Sequence, residues 1–146
     1  MPVKLTNPHE PWEEALDQCL SKCGLRLTSQ RLMVYSVLMD ERDHPTAEKV
    51  FLRVKQRNPE ISIATVYNCL DTLVTCGLVN QVNAHKGATR YCPNMREHGH
   101  FYCASCGSVQ DIHARPKALV GTELEGFEVH HVDITFSGLC PKCSKR

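Results

Sequence analysis

The 146-residue chain has no apolar run approaching the roughly 20 residues that a membrane-spanning helix needs, which argues against a helical anchor within it. Its first residues, Met1-Pro2-Val3-Lys4-Leu5-Thr6, lack an apolar core of the kind an export signal carries, so no signal peptide is read there. Net charge is also scarce. Seventeen Lys and Arg against 16 Asp and Glu leave +1, so composition does not advertise a polyanionic partner. Catalytic signatures are missing as well. A zinc deaminase needs H-x-E with P-C-x-x-C, whereas here proline follows the first cysteine of its hook and no suitable H-x-E lies nearby. A thiol oxidoreductase wants one exposed C-x-x-C on a βαβ frame, and this chain has two on a knuckle pattern. What remains is a soluble globular composition, 42% hydrophobic and 23% charged, that is expected to work in the cytoplasm and not as an enzyme.

Cysteine, by contrast, is plentiful, at nine residues. In a chain without an export signal such a count points to reduced thiols and metal and not to a disulfide scaffold. Four of the nine form two hooks, Cys103-Ala-Ser-Cys106 and Cys140-Pro-Lys-Cys143, with 33 residues between them. Two knuckles supply four sulfurs at about 2.3 Å from one zinc ion, in a closed tetrahedral site that holds structure and leaves no position for chemistry. Two disulfides or redox hooks are the alternative, which the reducing compartment disfavours. Cys19, Cys23, Cys69 and Cys76 fall at helical positions and read as core residues, the alternative for Cys19 and Cys23 being a redox pair one turn apart.

The length suits one ordinary domain or two small ones. Helical spacing runs from Pro11 through Trp12, Leu16 and Leu20 to a stop at Gly24. Thr28 or Ser29, Thr46 and Ser62 then cap three further helices, the second of these ending before Asn58-Pro59 and the last reaching Gly77. Helices three and four have the proportions of a helix-turn-helix. Beyond Gly77 the period shifts to two, and Leu78–Val82 with Ala88–Cys92 reads as a β-hairpin. The expected fold is therefore α+β: a winged helix-turn-helix domain over 1–92, a hinge over 93–97, and a small α/β dimerisation and metal-binding domain over 98–146. That last domain is expected to hold short strands near 101–102 and 108–112, a helix near 117–125, and two longer alternating stretches in 127–139. Its core is thin, so metal and a second copy are both expected to support it.

Two constellations carry further chemistry. Ser62, Ala64, Thr65, Tyr67 and Asn68 line the outer face of the fourth helix, small or hydrogen-bonding residues that a major groove accepts. Residues 22–57, with Arg26 and Arg31 among them, carry eight Lys or Arg against four acids, a local surplus that suits a phosphate backbone. An amphipathic surface helix with ordinary ion pairs is the bland alternative. The second constellation is Cys92, His98, His100 and Asp111, with His44 and His85 upstream. His98-Gly-His100 points both imidazoles to one side of an extended segment, and a set of thiolate, imidazole and carboxylate favours zinc, with iron or cobalt possible and manganese preferring harder oxygen donors. A purely structural zinc-ribbon interaction module, with one metal and no metal-dependent DNA binding, is the rival reading from another class.

Arg26-Leu-Thr-Ser-Gln-Arg31, His44-Pro-Thr-Ala47, Ser62-Ile-Ala-Thr-Val-Tyr67, His98-Gly-His100, Cys103-Ala-Ser-Cys106-Gly107 and Gly138-Leu-Cys140-Pro-Lys-Cys143 occur in order and at family spacing. On these the chain resembles the ferric uptake regulator family of metal-dependent bacterial transcription factors over nearly its whole length. The resemblance implies a homodimer that binds a palindromic double-stranded DNA operator, as a repressor. It implies a structural zinc on Cys103, Cys106, Cys140 and Cys143, and a regulatory Zn2+, Fe2+ or Mn2+ between the domains. His44, His98, His100 and Asp111 match sensory ligands of the peroxide-sensing branch. Cys92 stands where the iron- and peroxide-sensing branches place Asp or Glu, and a thiolate there resembles the zinc-sensing branch. His85 is a possible substitute for the ligand that some zinc sensors place at Asn80. His131 matches a ligand of an additional site whose partner is replaced by Gly99. Zinc is taken as the expected effector, with an iron-loaded peroxide or iron sensor as the alternative.

Overall fold

A computed structural model of the chain describes residues 11–83, 88–96, 98–113, 124–129 and 132–145. It divides into two compact units, Met1–Met95 and Arg96–Arg146. The α+β class expected from the sequence is borne out.

The first unit is built on four helices with legible starts. α1 (Pro11–Lys22) opens on proline and buries Leu16 and Leu20. α2 (Ser29–Asp40) is capped by Thr28, whose hydroxyl accepts the Arg31 amide at 3.2 Å. It buries Leu32, Met33, Val34, Tyr35, Val37 and Leu38, too wide an arc for one face, because α2 packs on both α3 and α4. α3 (Ala47–Arg57) and α4 (Ile63–Thr75) are capped by Thr46 and Ser62, which accept from the Lys49 and Thr65 amides at 3.3 and 3.1 Å. Each such cap stabilises its helix by about 1 kcal/mol. α4 sends Val66, Cys69, Leu70 and Leu73 inward and ends at Cys76, after which Gly77 takes φ +73, a left-handed turn that glycine adopts without strain. Fully buried side chains from all four helices (Leu16, Leu20, Leu38, Val50, Val54, Leu70) share one apolar cluster, each contributing on the order of 1.5–3 kcal/mol.

The wing follows. β1 (Asn80–Val82) pairs antiparallel with β2 (Arg90–Cys92), in the register Asn80↔Cys92, Gln81↔Tyr91 and Val82↔Arg90. Both strands are shorter than the sequence suggests. Leu78 and Val79 are buried in the helical cluster before the ladder begins, so their apolar character serves the core and not the hairpin. His85 lies outside the described residues.

The described residues of the second unit hold a three-stranded sheet of order β4-β3-β5. Central β3 (Gly99–Cys103) runs antiparallel to β4 (Val109–Ile112) and parallel to β5 (Thr135–Gly138). A parallel neighbour requires a long crossover, here supplied by the chain between Ile112 and Thr135. Most of the helix expected near 117–125 lies outside the described residues, as does His131. Where two long alternating stretches are expected in 127–139, the described residues of that span hold one four-residue strand, Thr135–Gly138. β3 offers its second edge over only Thr135–Gly138, and Phe127, Val129 and Val132 are exposed and outside any ladder. A one-turn helix, α5 (Pro141–Ser144), starts on the Cys140 cap with proline at its first position.

Candidate metal centres and nucleic-acid face

The turn after β3 and the start of α5 bring two pairs of thiols together. The sulfurs of Cys103, Cys106, Cys140 and Cys143 all lie within 4.8 Å of one another. Cys106 Sγ and Cys140 Sγ are 3.9 Å apart. A tetrahedron with zinc–sulfur bonds of about 2.3 Å has edges of about 3.8 Å, so the quartet has the size of a four-cysteine zinc cage. Its surroundings are built for thiolates. The Cys140 amide donates to Cys103 Sγ at 3.4 Å, and amide donors, that of Cys106 foremost, hold the Cys103 thiol down to about 6. Ser108 lowers the Cys106 thiol, while the neighbouring Cys140 thiol pushes Cys143 up to about 12. Four sulfurs so close cannot all carry charge on their own; a dication removes that conflict, and the donors fit zinc.

Beside the quartet in sequence, β3 and β4 create a second convergence. His98 and His100, two residues apart on extended chain, face one side, and the β3–β4 register sets Asp111 opposite His100. The two imidazole Nε2 atoms are 3.0 Å apart, and each lies 3.3 Å from Asp111 Oδ1. Metal–ligand bonds of about 2.0–2.1 Å place neighbouring ligands about 2.9 Å apart in an octahedron and about 3.4 Å apart in a tetrahedron. The three observed edges fall in that interval. The Nδ1 of His98 meets the Arg96 carbonyl, and donation there leaves the Nε2 lone pair for a metal. Arg96 thus orients His98 through its backbone, which no side-chain pattern in the sequence could announce.

The first unit carries a two-donor counterpart. Buried His44 and buried Cys92 offer ligand atoms within 4.8 Å of each other. Their proximity comes from a backbone splice: the Arg90 guanidinium donates to the His44 carbonyl at 3.0 Å, and the Tyr91 amide donates to the Pro45 carbonyl at 3.0 Å. His44 has φ +54, the only positive φ of a non-glycine among the described residues. A left-handed residue costs about 1–3 kcal/mol, and such strain concentrates at functional positions. Asn80 stands across the ladder from Cys92, but its side-chain amide donates to the Asn94 carbonyl at 3.3 Å.

On α4 the residues Ser62, Ala64, Tyr67 and Asn68 are exposed. Thr65 is half-buried, 2.9 Å from the Ser62 hydroxyl, so it serves the cap as well as the face. The Tyr67 hydroxyl donates to Glu48 on α3 at 3.3 Å. The basic segment is partly committed to structure. Arg53 grips Asp43 with both arms at 2.9 and 2.6 Å and meets Glu41 at 3.0 Å, while Arg57 meets Asp40 at 2.6 Å. Arg31 donates to the Arg26 carbonyl at 2.6 Å. Lys22, Arg26, Arg42, Lys49 and Lys55 remain on the exposed surface.

A winged helix in the same chain as a thiol-clipped sheet with an imidazole–carboxylate cluster is the build of a metal-binding transcription regulator. The model for the ferric uptake regulator family matches residues 22–137, and the chain belongs to that family of transcription regulators. It is 31% identical over 137 residues to the peroxide operon regulator of Bacillus subtilis, covering 92% of this chain and 94% of that protein. It is 34% identical over 135 residues to the ferric uptake regulation protein of the same organism, covering 86% and 89%. Among solved structures, the peroxide stress regulator of Campylobacter jejuni is similar with a TM-score of 0.67 and 29% identity, over 92% of this chain and all of that one. No helix among the described residues is long and apolar enough to cross a membrane.

Proposed function

We propose that the chain is a zinc-responsive repressor that binds a palindromic duplex operator as a cytoplasmic homodimer. In this reading Cys103, Cys106, Cys140 and Cys143 hold a structural zinc. His44 and Cys92 of the first unit join His98, His100 and Asp111 of the second around a regulatory zinc. The observation that carries the choice of metal is Cys92. A buried thiol on the wing, paired with a strained histidine, adds a soft donor to two imidazoles and one carboxylate, and that set suits zinc. Bound zinc would supply the coordinate bonds that join donors from the two units. The chain's residues do the rest. The Arg90–His44 contact holds His44 beside Cys92, and the Arg96 carbonyl holds His98 with Nε2 toward His100. Metal binds best to the arrangement in which all donors meet, so it shifts the population toward that arrangement. DNA contact falls to Ser62, Ala64, Thr65, Tyr67 and Asn68 on α4, with Arg26 and Arg31 near the phosphates.

A second reading is favoured by the relatives, which are named for peroxide and for ferric uptake. Two imidazoles and a carboxylate also accept ferrous iron, and a thiolate at position 92 is then a ready target for peroxide. One experiment separates the two: anaerobic binding to a duplex selected from random sequence, titrated with zinc, ferrous iron and manganese, and repeated after peroxide. Binding that follows free zinc and ignores peroxide supports the zinc reading. Binding that needs iron and is lost with peroxide, with added oxygen on His44, His98 or Cys92, supports the second.

A further inference from the structure

The outward face of α4 carries no positive charge. The helix holds neither lysine nor arginine, and Asp71 is its only charged residue. Its exposed Tyr67 is instead joined to α3, the hydroxyl donating to Glu48 Oε1 at 3.3 Å. Glu48 is exposed too, and it stands in the first turn of α3, where an acid complements the helix dipole. Desolvation, and then the Glu48 charge, push the Tyr67 hydroxyl above its ordinary value, so it keeps its proton. A phenol has one proton to give. While Glu48 takes it, the Tyr67 oxygen only accepts from any other partner, and a carboxylate accepts throughout. Such a pair repels a phosphate oxygen and has nothing to offer guanine O6 or N7. What it fits in a major groove is an exocyclic amino group, that of cytosine N4 or adenine N6.

We propose that Glu48 is a specificity-determining residue, and that the Glu48–Tyr67 pair bridging α3 and α4 reads one exocyclic amino group of a base in each operator half-site. The proposal deepens the reading of α4 as the DNA-contacting helix and rests on it. Tyr67 makes the contact, while Glu48 holds the phenol in place and fixes it as an acceptor. The rival role for an exposed tyrosine on such a helix is a phosphate anchor. That role needs the hydroxyl proton for the phosphate, and a carboxylate 3.3 Å away opposes it. Removing the Glu48 charge therefore separates the two. An amino-group reader loses discrimination at one base pair, whereas a phosphate anchor gains affinity for every sequence.

The test is selection from random-sequence duplex by the full, metal-loaded chain, followed by affinities for the selected duplex and its single-base-pair replacements. Wild type is compared with Glu48→Gln, Tyr67→Phe and the double variant. Gln donates as well as accepts, and Phe does neither. Each single variant should cut the preference at the same position of the half-site by about 5–10-fold, the worth of roughly one hydrogen bond. The double variant should cut it no further, because the two residues act as one unit. A methyl group on that amino nitrogen should weaken wild type and leave the double variant unchanged. Affinity altered equally for all duplexes, effects of the two variants at different positions, or an unchanged preference in Glu48→Gln would each overturn the proposal. A wild type that selects no duplex overturns the DNA-contacting reading and the proposal with it; one that selects a duplex whose preferences the variants keep overturns the proposal alone. Near-native circular dichroism and melting of the variants separate lost readout from lost fold.

Discussion

The two units of this chain solve the stability problem in opposite ways. Of 24 buried apolar residues among those described, 21 lie in the first unit; the second contributes only Cys103, Val109 and Cys140, two of them members of the four-thiol cluster. The exposed large apolar residues show the reverse bias, with Leu124, Phe127, Val129, Val132, Phe136 and Leu139 all in the second unit. A four-helix cluster holds itself together by removing hydrocarbon from water. A three-stranded sheet of this size cannot, and in the proposed reading zinc on the four thiols stands in for a core. Its exposed apolar residues are a surface of the sort that a second copy covers, which supports the proposed homodimer.

The sharpest way to break this contrast is to remove a sulfur. Structural zinc in small domains is worth on the order of 10 kcal/mol. Cys103→Ser should therefore unfold the second unit and spare the first, with amide exchange collapsing beyond residue 96 and the helices staying protected. Uniform loss of protection in both units would erase the distinction. The converse change is Leu70→Ala, which opens a cavity under α4 and should cost the first unit about 2–5 kcal/mol. Denaturant unfolding by helix signal should shift while zinc content stays constant. Ser62→Ala removes a cap and should cost about 1 kcal/mol locally, with faster amide exchange at Thr65 and Val66.

The smallest effect concerns the Asp43–Arg53 pair, where the guanidinium holds the Asp43 carboxyl below its ordinary value. A depressed folded value means that the stabilisation is present above the ordinary aspartate range. It is lost as pH falls through the lowered value. Since both groups are partly exposed, its size is below about 1 kcal/mol and should shrink further in salt. Thermal melts of wild type and Asp43→Asn should converge in acid and differ slightly near neutrality.

How much of this was legible in the sequence depends on the range of the interaction. The helices of the first unit could be read because Thr28, Thr46 and Ser62 act within three residues, on amides of their own first turns. The His98/His100 pair could be read because a strand has period two. Its convergence with Asp111 could not, since it depends on the β3–β4 register. The same holds for Arg90 on the His44 carbonyl, a contact that exists only once the helices and wing have packed. The alternation in 127–139 misled because period two reports side-chain geometry and not the presence of a partner edge. The pairing within the basic segment of residues 22–57 was hidden for a similar reason: Arg53 and Arg57 meet Asp43, Glu41 and Asp40 only in the folded unit.

The proposed function requires two metal sites with different duties, one that builds the second unit and one that reports. The most direct test is stepwise zinc titration of the demetallated full chain, followed by metal content and circular dichroism together, for wild type and for His100→Ala. The account predicts two equivalents per wild-type chain, the first restoring ordered structure and the second adding little, and one structure-restoring equivalent in His100→Ala. A single equivalent in both proteins, or loss of the structure-restoring step in His100→Ala, would contradict it.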